Sequence, residues 1–282
     1  MISRAEIQRV AASLSVDPQV IDQDYALGCF LCALSQQEDV QRDWIFKGGT
    51  ALAKCYFPEF RFSEDLDFTI STSITAEHLR VILEASRQIF QERFGFRADT
   101  KEPSVEPIED EYSKESFEAK IYYHGPWMFR GDPLAIQVHL TKDEKVIFPA
   151  VRRNILHSYS DVSQFSSATL QAYALEEVFV EKLRAFSGQR RYAIARDIFD
   201  ICFLSSRGVD TLAAFSAFRE KCEVKGFEPE KVRIASIKER RDEYELNWRR
   251  NLEYLLPNAL KCPFEEAWRV SILLLEQAIA FQ

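Results

Sequence analysis

The sequence predicts an α+β protein, with strands and helices interleaved in a first domain, 1–165, and helices almost alone in a second, 166–282. Three observations carry this. Up to about residue 165, helix-period stretches alternate with short runs rich in β-branched and aromatic residues, bounded by glycine, proline and polar clusters. From about Leu170 the pattern is helical nearly throughout, broken at Gly188, Gly208, Gly226–Pro229, Pro257 and Pro263. Finally, 282 residues that are 46% hydrophobic and 28% charged suit one large or two modest soluble domains, and 22 phenylalanines supply an aromatic core.

The elements follow in order. Ser3-Arg4-Ala5-Glu6 is a capping box that starts a helix at Arg4. Asp17-Pro18 repeats the start signal, and the helix to about Gln37 is apolar enough to be buried. "DWIFKGG" reads as a short strand running into a glycine turn, "TALAKCYF" as a short helix and "SEDLDFTI" as a strand. Thr75 caps a helix through about Phe94. "FRADTKE", "SFEAKIYYH" and "PLAIQVHLT" read as further strands, with the acidic "EPSVEPIEDEYSKES" as a solvated loop between the first two.

Composition excludes several classes. No apolar run reaches the ~20 residues of a membrane span, and the N-terminus lacks the apolar core of a signal peptide, so a cytoplasmic protein without a membrane partner is expected. Cys29 and Cys32 form a C-x-x-C inside an apolar helical stretch, with no second pair to complete a zinc site, so the six cysteines read as free thiols. A net charge of −8 argues against a general nucleic-acid coat. A nucleic-acid partner would need a local patch. Lys182, Arg184, Arg190, Arg191 and Arg196 offer one, or else a solvated helical face.

The chemistry concentrates in "FKGGTALAKCYFPEFRFSEDLDF", Phe46–Phe68. Side chains alternate along a strand, so Ser63, Asp65 and Asp67 share one face while Leu66 and Phe68 share the other. Two neighbouring carboxylates repel and call for a cation; magnesium, which favours carboxylate and phosphate oxygens, suits them. Gly48, Gly49 and Thr50 follow a strand and open a helix, where backbone N–H groups attract anions and glycine permits close approach of a phosphate. Either feature alone has a plain structural reading, a turn or an acidic edge strand. Together they suggest a metal base and a phosphate cradle.

These residues carry a family resemblance. "KGGTALAKCYFPEFRFSEDLDF" resembles the G-G-T-x-L … R-x-S-x-D-x-D signature of the AbiEii/AbiGii toxin family, nucleotidyltransferases of the DNA polymerase β type related to the MenT toxins. "EKLRAFSGQRRYAIARDIFDI" is similar to the family's second conserved stretch. The resemblance implies a polymerase-β-like core, a mixed sheet with helices, followed by a helical domain. It implies that Gly48, Gly49 and Thr50 line the phosphates of a nucleoside triphosphate, with Ser63 beside them. Asp65 and Asp67 would hold Mg2+, with Mn2+ as an alternative ion. Lys182 and Asp197 would be polar residues that the helical domain sends into the active site, Lys182 also meeting the phosphates. It further implies an RNA acceptor, the tRNA 3′ end, and an antitoxin partner in a type IV-like toxin–antitoxin system.

Residue patterns test the second stretch. At 100° per residue Lys182 falls inside the apolar stripe of Leu175, Val178, Phe179 and Phe186, where an unpaired lysine is costly to bury. Asp197 flanks an apolar face made by Ile194, Ile198, Ile201 and Cys202, and Asp200 is expected further out. Asp197 otherwise reads as one side of a surface salt bridge to Arg190, Arg191 or Arg196, and Arg190 and Arg191, after the Gly188 break, as a grip for a phosphate or an RNA backbone. One departure stands out. Enzymes of this type place a third acid on a later strand, where this chain has Gln137 or His139, with Asp143 and Glu144 after it. His139 reads either as a base or as a histidine satisfied in the sheet. Two other outcomes fit the same residues: phosphoryl transfer to a protein, and nucleotide binding without turnover in a regulatory protein.

Overall fold

The computed structural model describes residues 1–98, 100–109, 115–127, 131–142 and 144–281. They form two compact units. The first comprises Met1–Glu144, Ala150–Ala172 and Pro257–Ala259; the second comprises Lys145–Pro149, Tyr173–Leu256 and Leu260–Gln282.

The first unit opens with α1 (Arg4–Leu14), whose N-cap Ser3 accepts a hydrogen bond from the Glu6 N–H, and α2 (Pro18–Leu34), capped by Asp17. A short α3 (Glu38–Asp43) leads to β1 (Trp44–Lys47). The expected helix after the glycines is a single turn, α4 (Gly48–Ala51), continued by a π-helical turn, Leu52–Tyr56. Then come β2 (Asp65–Ile70), α5 (Ala76–Phe94) capped by Thr75, β3 (Ser104–Glu109), β4 (Glu115–Tyr123) and β5 (Leu134–Lys142). The strands β6 (Val151–Asn154) and β7 (Thr169–Ala172) complete one mixed sheet in the order β3-β4-β5-β2-β1-β7-β6. Its β2–β5 and β1–β7 pairs are parallel, the rest antiparallel.

One sheet face packs on α2 and α5. Phe46, Leu66, Phe68, Phe117, Ile121, Val138 and Leu140 point into that core and are buried. Each such side chain contributes about 1.5–3 kcal/mol on leaving water. The opposite face carries the alternate residues, Asp65, Asp67, Gln137 and His139, all partly exposed.

Three expectations need correcting. Among the described residues of "FRADTKE" no strand forms; Arg97 makes an isolated bridge to His124, and Asp99 lies outside the described residues. Part of the expected acidic loop, Ser104–Glu109, is instead the edge strand β3, because Val105 finds a buried seat once β4 offers its free edge. And the helical texture expected from Leu170 begins after β7, since Thr169–Ala172 pairs with both β1 and β6.

Buried polar pairs fix the segment after the glycines. Lys54, in the π-turn, donates to the Asp24 side chain at 2.7 Å and to its carbonyl at 3.1 Å, and Tyr159 donates to the same carboxylate at 2.8 Å. Leu156 N–H and the Arg153 side chain cap the carbonyls of Lys54 and Cys55. Nearby, His157 and Tyr25 both donate to Asp161 at 2.7 Å.

The second unit packs α6 (Leu175–Arg184), α7 (Ala195–Ser206), α8 (Thr211–Val224), α9 (Ile234–Glu239), α10 (Arg241–Asn251) and α11 (Phe264–Ala280). Phe186, Tyr244, Trp248, Phe264 and Trp268 make its aromatic centre. The segment Lys145–Pro149 belongs to this unit because Glu177 accepts the N–H groups of Ile147 and Phe148, while Lys221 binds Glu177 and the Lys145 carbonyl. Among the described residues no helix is long and apolar enough to cross a membrane.

Removing Asp24 strands a buried ammonium. Asp24→Ala should therefore destabilise the first unit by about 3–5 kcal/mol, read as a lower denaturant midpoint. An unchanged midpoint would show that the Lys54–Asp24 pair contributes nothing.

Candidate active site

In the first unit the glycine turn and the acidic strand are built against each other. Lys47 lies opposite Asp67 in the β1–β2 register, and Gly48 follows at φ 78°, a left-handed conformation that favours glycine. A Cβ on Gly48 would stand 2.5 Å from Asp67 Oδ2. A Cβ on Gly49 would overlap the Arg61 guanidinium, which is buried and donates to the Phe62 carbonyl. Both glycines thus make room for charged side chains of "RFSEDLDF". Thr50 is buried and its hydroxyl donates to the Asp65 carbonyl at 2.5 Å, so this hydroxyl ties the turn to β2 and does not face outward. What the turn can offer an anion is its backbone.

Asp65 and Asp67 project from the same, partly exposed face of β2, as the alternation implies. Ser63 precedes the strand, which starts at Asp65, so it is not in register with them. Across the parallel pairing Gln137 lies opposite Asp65 and His139 opposite Asp67. His139 Nδ1 sits 3.2 Å from Asp67 Oδ1. The hydrogen bond to Asp67 holds the imidazole above its ordinary pKa, against the opposing effect of burial. Of the two positions where a third acid was expected, Gln137 lies opposite Asp65, and His139 lies opposite Asp67 and touches it. Asp143 lies outside the described residues.

In the second unit Lys182 is mostly buried and donates to Asp197 at 2.7 Å, with Asp200 3.1 Å away. Arg190 Nε lies 3.0 Å from the other oxygen of Asp197. Burial alone would raise the Asp197 carboxyl, but Arg190 and Lys182 together hold it below its ordinary value. Asp200, expected to point outward, is fully buried; the reason is that α6, α10 and α11 all pack on α7, leaving little of it solvated. Its i,i+3 spacing from Asp197 places both acids on one helix face, the signal by which the sequence could have paired it with Lys182. The lysine in an apolar stripe is explained: it neutralises two buried carboxylates.

Among the described residues no three His, Cys, Asp or Glu side chains gather as a metal shell. Asp65 and Asp67 still suit magnesium, which binds through one or two carboxylates and completes its shell with phosphate and water. Both acids are partly open to solvent on one sheet face, as such a shared shell requires.

The model of a nucleotidyltransferase family, "Nucleotidyl transferase AbiEii toxin, Type IV TA system", matches residues 29–270. The chain belongs to this AbiEii family. Solved structures agree on the fold. The MenT4 nucleotidyltransferase toxin of Mycobacterium tuberculosis superposes with a TM-score of 0.55 at 20% identity, covering 99% of both chains. JHP933 from Helicobacter pylori gives 0.56 at 17% identity over 94% of each chain. An H. pylori protein described as a putative nucleotidyltransferase gives 0.55 at 16%, covering 94% of this chain and 96% of its own. A comparison with curated proteins finds no significant match.

Gly48→Ala should destabilise the AbiEii fold more than Gly226→Ala. Both glycines have positive φ, but an added Cβ at Gly226 meets nothing within 4 Å. Gly226→Ala should cost about 1 kcal/mol from the backbone alone, and equal losses would deny the Asp67 contact. Lys182→Met should cost about 3–5 kcal/mol by leaving buried carboxylates uncompensated. Because Asp197 is held down in the fold, its contribution is present above the unfolded carboxylate value and fades as pH falls through the folded one. Wild-type stability should then fall on acidification more steeply than that of Asp197→Asn; parallel profiles would remove Asp197 from the acid response.

Proposed function

We propose that this AbiEii-family transferase moves a nucleoside monophosphate from a nucleoside triphosphate to an RNA hydroxyl, the tRNA 3′ end being the acceptor class. The observation that carries the reading is the pair Asp65 and Asp67, side by side on an open sheet face with the Gly48 backbone pressed against the second acid. Asp65 and Asp67 would hold Mg2+, which supplies charge neutralisation for the triphosphate. The backbone at Gly48 and Gly49 orients the phosphates. The acceptor oxygen forms a bond to the α-phosphorus as the bond to pyrophosphate breaks. Catalysis of this kind is positioning plus electrostatic stabilisation. The resemblance assigns Lys182 and Asp197 to the same reaction, with Lys182 a cationic group for the nucleotide; Arg190, read from the residues alone, would be a second. In a cell the activity would make the chain a growth-inhibiting toxin with a cognate antitoxin.

His139 and Gln137, standing where an acid was expected, favour one other reading: nucleotide binding without turnover in a regulatory role. One assay separates them. Purified protein, magnesium, total tRNA and each α-labelled triphosphate should give labelled RNA, and Asp65→Asn should lower the rate at least about 100-fold, the scale of losing one essential charge-stabilising group. Label that enters RNA equally with Asp65→Asn would sink the site. Magnesium-dependent nucleotide binding with no labelled RNA would favour the regulatory reading, and γ-label appearing on protein would mark a phosphotransferase instead. Asp65 is the better test than Lys182, whose loss threatens the fold itself.

A further inference from the structure

The helical unit carries a feature that the reaction above does not use. After Gly188, at φ 103°, the chain runs Arg190-Arg191-Tyr192-Ala193 before α7 begins. This loop is held. Arg240 donates to the carbonyls of Arg190 and Arg191 at 3.1 and 3.3 Å, Ala195 N–H donates to the Asn247 side chain at 2.9 Å, and Ala193 and Ala195 are buried. Yet Tyr192 is 68% exposed, the highest value for a large hydrophobic side chain among the described residues. The Arg191 guanidinium lies 5.4 Å from the centre of its ring. Arg190, next along, reaches Asp197.

An aromatic ring this open adds little to folding. Backed by one planar cation on an anchored backbone, it has the chemistry that recognises an unpaired nucleotide: a face for a base to stack on and a guanidinium for the adjoining phosphate. A mononucleotide substrate would be mostly enclosed by its site. The open ring instead suits a strand that arrives from solvent. The chain as a whole is acidic, and Arg190-Arg191, like the pairs Arg152-Arg153, Arg240-Arg241 and Arg249-Arg250, sets two adjacent cations against that balance; only at Arg191 does the next residue carry a widely exposed aromatic ring. We propose that Tyr192 and Arg191 form a stacking platform for an unpaired nucleotide of the acceptor RNA. This rests on the reading that the acceptor is RNA.

The test is direct binding to the full chain, followed by fluorescence anisotropy of a short labelled single-stranded RNA, beside binding of a non-hydrolysable triphosphate. Tyr192→Ala should weaken RNA binding about 5- to 100-fold, the range for losing one stacked base. Tyr192→Phe should bind as wild type, because the ring and not the hydroxyl does the stacking. Arg191→Ala should flatten the salt dependence of RNA binding by about 0.7 in the log–log slope, one phosphate contact on a single strand. Triphosphate binding and the denaturant midpoint should stay put in all three. Undetectable RNA binding by the wild type, RNA binding indifferent to Tyr192→Ala, or a loss confined to the triphosphate would each overturn the platform. Tyr192-dependent RNA binding without labelled transfer would leave the platform standing and remove the transferase reading. Transfer that survives Tyr192→Ala with unchanged RNA affinity would do the reverse.

Discussion

The close approach of Gly48 to Asp67 is the constraint on which the first unit's site depends. Strand β1 can end opposite Asp67 and turn away at once only because no Cβ occupies the space that the carboxylate fills. That contact sets the turn against the acidic strand. Thr50 then ties the turn to Asp65 through a hydrogen bond to its carbonyl, and Gly49 admits the buried Arg61 guanidinium. The segment is thus clamped at successive residues by partners from "RFSEDLDF", which explains why these two stretches occur together in the sequence.

Buried charge does comparable work in both units. In the first, Asp24 receives Lys54 and Tyr159 and fixes the π-turn that continues from the glycines. In the second, Lys182 binds Asp197 and lies within ion-pair distance of Asp200, while Glu177 and Lys221 hold the segment Lys145–Pro149. Such pairs add little net stability over apolar packing, but breaking one leaves an uncompensated charge, so they enforce a particular arrangement. A lysine held by two carboxylates is also placed with little freedom, which suits a functional group.

The legible parts of the sequence were those governed by local chemistry. The caps at Ser3, Asp17 and Thr75 start helices where expected, because an N-cap needs only its own side chain and the N–H groups two or three residues on. The alternation of β2 placed Leu66 and Phe68 in the core and Asp65 and Asp67 on the open face. Strand β3, which pairs with the adjacent β4, was masked by its acidic, turn-rich composition, while β6 and β7 escaped notice because each is short and β7 is held by β1, distant in sequence. The burial of Asp200 escaped for the same reason: its cause is the packing of α7 among three other helices.

By itself, then, the sequence determined the α+β class, the helix starts, the carboxylate pair and the signature of the AbiEii family, since each is encoded in residues at most about twenty positions apart. Tertiary structure decided what each glycine is for, that the Thr50 hydroxyl turns inward, that His139 touches Asp67, and that Lys182 meets two acids. Those facts depend on which strand lies beside which and on how helices pack, and side-chain contact across such distances is set by three-dimensional register.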